Sequence, residues 1–121
     1  MKENLSATKN ITGEILSNLR KDKRMTQKEF ADIFSVSEST IAHYEQGITI
    51  PNADMLCKFA DYFNVTVDYL LGRCSCTIDY KKLNLEISKG LTIGEIADII
   101  SKLPKDKRNY LCQTIKLLIK P

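Results

Sequence analysis

Six helix-boundary signals fall within the 47 residues from Thr26 to Gly72, which leaves room for little besides short helices. Thr26-Gln27-Lys28-Glu29 has capping-box spacing: the Thr hydroxyl can accept from the Glu29 amide while the Glu carboxylate returns to the amide of Thr26. Ser37 is a good amino cap for a further helix, and Gly47 suits the left-handed turn that ends one. Pro51-Asn52 opens the next helix, Val65-Thr66 caps another, and Gly72 stops it. The apolar residues between these signals recur at helical spacing. Phe30, Ala31 and Ile33 supply one buried face, Ile41 and Tyr44 the next, then Met55, Leu56, Phe59, Ala60 and Phe63, then Val67, Leu70 and Leu71. Upstream, Ile15, Leu16 and Leu19 define a first helix from Thr12 to Asp22, closed by the positive charge of Lys21, Lys23 and Arg24. Five short helices with short joints predict a compact all-α domain over residues 12–72, a size (~60 residues) that folds alone.

The flanks read differently. Residues 1–11 are polar and lack periodicity, and are expected to form a flexible arm. Residues 73–91 form a linker whose pattern fits two structures: Leu83, Leu85 and Ile87 alternate as in a strand, while Tyr80, Leu83 and Ile87 fit a helix. Thr92-Ile93-Gly94-Glu95 is a second capping box, followed by Ile96, Ile99, Ile100 and Leu103 on one face. Pro104 interrupts the chain before a last helix bearing Tyr110, Leu111, Ile115, Leu118 and Ile119. Two short amphipathic helices cannot bury such faces by themselves. Residues 92–121 are therefore expected to be a helical dimerisation or oligomerisation region, with Ile96, Ile99, Ile100, Leu103, Leu111, Ile115 and Leu118 at its contact; folding back onto the domain's own core is the alternative.

Charge is unevenly divided. The whole chain is +3, yet residues 12–73 carry seven Lys/Arg against nine Asp/Glu, and residues 74–121 carry nine against five. Arg20, Lys21, Lys23, Arg24 and Lys28 cluster locally, whereas Lys102, Lys105, Lys107 and Arg108 read as a solvated face. No stretch has the run of about 20 apolar residues that a membrane span needs, and Met1–Asn10 lacks the apolar region of a signal peptide, so a cytoplasmic location is expected. Cys57 sits within a helical pattern as a small apolar residue. Cys74 and Cys76 make one thiol pair without a nearby His, short of a four-ligand metal site, and Cys112 stands apart. With one His and no glycine-rich phosphate loop or nucleophile elbow, the chain shows no catalytic constellation, so no enzyme activity, cofactor or metal is expected.

The string from Thr26 to Gly72 closely resembles the helix-turn-helix of the Cro and phage-repressor family, the xenobiotic-response-element type. Gln27, Ala31, Ile41, Glu45-Gln46-Gly47, Pro51 and the closing Val65-Thr66-Val67-Asp68-Tyr69-Leu70-Leu71-Gly72 carry the resemblance, which covers about half the chain. Ser35 and Asn64 stand where the family usually or often has Gly; Asn tolerates positive φ better than Ser, so the Ser35 turn is expected to carry slight strain. The resemblance implies a sequence-specific regulator of transcription on double-stranded DNA, a repressor by preference, with the third helix in the major groove.

In that third helix Ile41 and Tyr44 face inward, which turns Glu38, Ser39, Ala42 and His43 outward. The expected base readers are Glu38, Ser39, Thr40 and His43: a carboxylate accepts from cytosine N4, and an imidazole donates to a purine N7. Glu38 would equally complement the helix dipole, and His43 would equally sit in solvent. Gln27, Ser37 and Gln46 match family positions that bond phosphates, with Lys28 and Asn52 as further backbone contacts. Arg20 and Glu45 resemble the family's buried ion pair joining the first and third helices. The layout, more than matched residues, is similar to Sin-type repressors, which couple such a domain to a short helical dimerisation tail. A homodimer on two half-sites is the expected assembly, with a protein anti-repressor or toxin as a further partner. The competing reading is an antitoxin-like module that neutralises a partner protein through its C-terminal helices and represses its own operon.

Overall fold

The computed structural model describes residues 2–120, with side chains from Ile11 onward. The chain divides into two compact units, Met1–Asp79 and Tyr80–Pro121.

The first unit contains α1 (Lys2–Asp22), α2 (Gln27–Ile33), α3 (Glu38–Gln46), α4 (Ala53–Phe63) and α5 (Val67–Leu70). Each boundary signal acts as expected. The Thr26 hydroxyl accepts from the Glu29 amide at 3.1 Å and the Glu29 carboxylate accepts from the Thr26 amide at 3.3 Å, closing the capping box. Ser37, Asn52 and Thr66 cap α3, α4 and α5 in the same way, each accepting from the amide three residues on. Gly47 ends α3 at φ 76°, and Gly72 follows α5 at φ 74°. Where the family favours Gly, Ser35 (φ 54°) and Asn64 (φ 55°) adopt the left-handed backbone all the same.

Some expectations need correction. Helix α1 starts at Lys2, ten residues before Thr12, so the segment expected to be a loose arm is helical backbone. It contains no Gly or Pro, and Lys, Glu, Leu and Ala all favour helix; the missing apolar period concerns what a helix buries, not whether it forms. Met1 lies outside the described residues. Ile33, expected on the buried face of α2, is 46% exposed. Helix α2 ends there, and Phe34 at its C-cap takes the inner place, meeting Phe30 edge-on at 5.3 Å and Phe59 at 4.8 Å.

The core of this unit is Leu16, Phe30, Ile41, Phe59 and Leu70, all fully buried, with Ala31, Leu56, Ala60, Phe63 and Val65 around them. Removing Phe30 or Phe59 from water is worth about 1.5–3 kcal/mol each, and edge-to-face ring contacts through Phe34 and Phe63 add to it. Tyr44 and Met55 pack against this core half-buried. Cys57 is exposed on α4, so it does not fill the apolar role expected of it.

The second unit resolves the ambiguity of the linker by using both readings in turn. Residues Tyr80–Leu83 form α6, and Ile87 lies in β1 (Glu86–Ser88), which pairs antiparallel with β2 (Leu91–Thr92). Lys89 and Gly90 make the turn, and the Glu86 carboxylate accepts from the Gly90 amide at 2.8 Å. Helices α7 (Ile93–Lys102) and α8 (Lys105–Leu118) follow. Thr92 caps α7 by accepting from the Glu95 amide, while its hydroxyl donates to the Glu95 carboxylate, so this box closes through side chains. Pro104 precedes α8 and offers no side-chain cap. The fold is all-α apart from this small hairpin. Neither α7 nor α8 has a fully buried residue: Ile96, Ile100, Leu103 and Leu111 are half-buried, and Ile99, Ile115 and Leu118 are exposed. Among the described residues no helix is long and apolar enough to cross a membrane, and no group of three His, Cys, Asp or Glu is placed to hold a metal.

Candidate nucleic-acid interface

Helix α3 is held from two sides. Ile41 is fully buried, and at the other end Glu45 forms a two-pronged ion pair with Arg20 of α1: Nε to Oε2 at 2.7 Å and Nη2 to Oε1 at 3.0 Å. Arg20 Nη1 also donates to the Met25 carbonyl at 2.8 Å, which pins the turn before α2. Bonding to Glu45 raises the Arg20 pKa above its ordinary value against the opposing effect of burial. A planar guanidinium meets a carboxylate this way where a lysine could not.

Two contacts were not foreseen from the sequence, one of them made by Gln27, which was expected at a phosphate. Gln27 Nε2 donates to Glu45 Oε1 at 3.1 Å, so α1, α2 and α3 all meet on one carboxylate. Gly13 lies where α1 crosses the end of α3, and a Cβ there would collide with the Tyr44 and Glu45 carbonyl oxygens. An isolated glycine inside a helical pattern was the available signal.

With its inner side fixed, α3 presents Glu38, Ser39 and His43 to solvent, and Gln46 beyond them. Ser39 and His43 are one turn apart, roughly 6 Å along the axis. Thr40 is half-buried, its hydroxyl 2.7 Å from that of Ser37. Ser37 also lies 3.1 Å from the Ser39 hydroxyl while accepting from the Thr40 amide. Its cap role is therefore observed, and three hydroxyls form one small network at the start of the helix. Lys28 is exposed on α2. Asn52 spends its carbonyl oxygen on the α4 cap, accepting from the Met55 amide at 2.8 Å, which leaves its amide hydrogens for other acceptors. The arrangement offers hydroxyl, carboxylate, imidazole and amide groups along one short helix and its approaches. That set suits reading hydrogen-bonding edges.

The helix-turn-helix family model matches residues 16–70. The chain is 41% identical over 58 residues to the HTH-type transcriptional regulator AnsR of Bacillus subtilis, a match covering 48% of this chain and 50% of that protein. It is 34% identical over 76 residues to the cryptic phage CTXphi transcriptional repressor RstR of Vibrio cholerae, covering 63% of this chain and 67% of the relative. The match thus spans between half and two thirds of these relatives' length. Its fold is similar to that of a crystal structure of a transcriptional regulator from Listeria innocua, with TM-score 0.51 and 23% identity over 91% of this chain and 96% of the other.

Proposed function

Because this chain belongs to the helix-turn-helix family of transcriptional regulators, we propose that it is a dimeric repressor that reads a specific operator through α3 in the major groove. The observation that carries this reading is the division of α3: Ile41 and Glu45 anchor it, while Glu38, Ser39 and His43 project into solvent. In this role Glu38, Ser39, Thr40 and His43 contact base edges. Gln27, Lys28, Ser37, Gln46 and Asn52 approach phosphates and set the register. The repressor sense follows the relative named as a repressor. The protein acts on its DNA in the cytoplasm and carries out no catalysis.

A second copy covers the apolar residues of α7, α8 and the joint between them, namely Ile96, Ile99, Ile100, Leu103, Leu111, Ile115 and Leu118. Their exposure, up to 78% at Leu118, supports a macromolecular partner for these helices. The same exposure favours the second reading, in which a toxin-like or anti-repressor protein occupies that face.

Fluorescence anisotropy with DNA from upstream of the protein's own gene tests the proposal across a salt series, with random DNA and a Ser39→Ala, His43→Ala variant as controls. The expected result is a preference of at least ~10³ for one site, lost in the variant. Equal, weak binding to all DNA by both proteins would remove the operator reading.

A further inference from the structure

The unit that carries the reading helix is poorly equipped to attract DNA. From Gln27 to Gln46, Lys28 stands against Glu29, Asp32, Glu38 and Glu45, and with Arg20 neutralising Glu45 the α2–α3 pair is left at −2. Lys21, Arg24 and Lys28 are exposed around the start of α2, but other cations of the same unit are already engaged. Arg20 is held by Glu45, Lys23 lies over the Tyr62 ring at 4.9 Å, Lys58 pairs with Asp54 and Arg73 with Asp68. Double-stranded DNA presents one negative charge per about 1.7 Å of axis, and binding it demands that phosphates be neutralised.

The second unit has the opposite balance. Residues 80–121 carry nine Lys/Arg, every one exposed, against four Asp/Glu, whereas residues 1–79 carry nine against eleven. The densest group, Lys102, Lys105, Lys107 and Arg108, spans the corner between α7 and α8. Three of these stand in the first turn of α8, where the positive end of the helix dipole opposes cations and Pro104 provides no side-chain cap. Helix stability therefore does not account for them. Lys102 does pair with Asp98 at 2.9 Å, but both partners are mostly exposed, and such pairs yield readily to a stronger anion.

We infer that the α7–α8 corner, through Lys102, Lys105, Lys107 and Arg108, is a second DNA-contacting surface that binds the phosphate backbone without regard to sequence. It rests on the DNA-binding reading above and adds a division of labour to it: the first unit discriminates and the second supplies electrostatic affinity.

The test uses the full-length protein with all four residues changed to Gln, beside a version with the three lysines changed to Arg. Anisotropy against site and random DNA is recorded from about 50 to 200 mM salt, with sedimentation velocity to compare mass. In the Gln variant the salt slope should fall by about 3.6 per protomer, at roughly 0.9 per phosphate contact. Affinity for both DNAs should drop together by at least ~10-fold, and the preference ratio should hold; the Arg version should keep the parent's slope. A Gln variant with the parent's slope, or one whose loss follows a change in mass, would overturn the inference while leaving the operator reading intact. Salt-dependent binding without site preference in the parent, weakened in the Gln variant, would do the reverse. A parent that binds no DNA removes both.

Discussion

Arg20 and Glu45, 25 positions apart, meet in a two-pronged contact with side chains only 12% and 6% exposed, and Gln27 joins the same carboxylate. Arg20→Ala leaves that carboxylate buried and without its counter-charge, and should cost about 3 kcal/mol, read as a lower urea midpoint. Arg20→Lys keeps the charge without the fork and should recover part of the loss. The raised pKa of Arg20 means the contribution of its positive charge is complete below the arginine's unfolded value and is lost only as pH climbs through the still higher folded one. Stability measured across the neutral to mildly alkaline range should show no step from this group.

Gly13→Ala places a methyl group against the backbone carbonyls of Tyr44 and Glu45, which cannot swing aside as a side chain would. Separation of α1 from α3 should cost about 1–3 kcal/mol. Calorimetry should show a melting temperature lower by roughly 4–8 °C per kcal/mol.

Ser35→Gly should stabilise. Ser35 holds φ 54°, a conformation that costs a side-chain-bearing residue roughly 1–2 kcal/mol and glycine almost nothing. Glycine's greater freedom in the unfolded chain offsets part of the gain, so a net increase of about 0.5 kcal/mol is expected in urea unfolding.

His43→Ala should weaken binding to the preferred site by about 1–3 kcal/mol while leaving random DNA unaffected. The side chain is exposed on α3 and makes no core contact, so the melting temperature should not move. A parallel fall on both DNAs would reassign His43 to general affinity.

Ile99→Asp with Ile115→Asp introduces two charges on helices that bury nothing fully by themselves. Sedimentation should shift from dimer to monomer, and site affinity should fall by about 10²-fold through loss of the second half-site. An unchanged mass would send the search for the contact elsewhere.

Much of the first unit was legible because its signals are local. A Thr, Ser or Asn three residues before the amide it caps, and a Gly at a helix end, need no knowledge of the rest of the chain, and all of them formed as read. Ile33 misled because α2 is too short for periodicity to separate it from Phe34. The start of α1 was missed because helical propensity without a buried face leaves no periodic trace. Gln27 and Gly13 depend on which segments meet in space, a fact not written in either one's neighbourhood. Around Leu83 to Ile87 two patterns overlapped because a helix ending at Leu83 and a strand starting at Glu86 stand only two residues apart. Outward residues such as Glu38, Ser39 and His43 bear no mark in the sequence of what they touch, because they have no partner within the chain's core.

Helix α3 keeps its anchoring and its outward side chains on different residues: Ile41 and Glu45 hold it to the domain, and Glu38 and His43 make no contact with the core. Mutations at the outward positions are thus spared the usual penalty of threatening the fold. A lineage carrying this domain is free to drift from one target sequence to another through variants that all remain stable, and a designer can swap those positions in bulk without first rebuilding the protein beneath them.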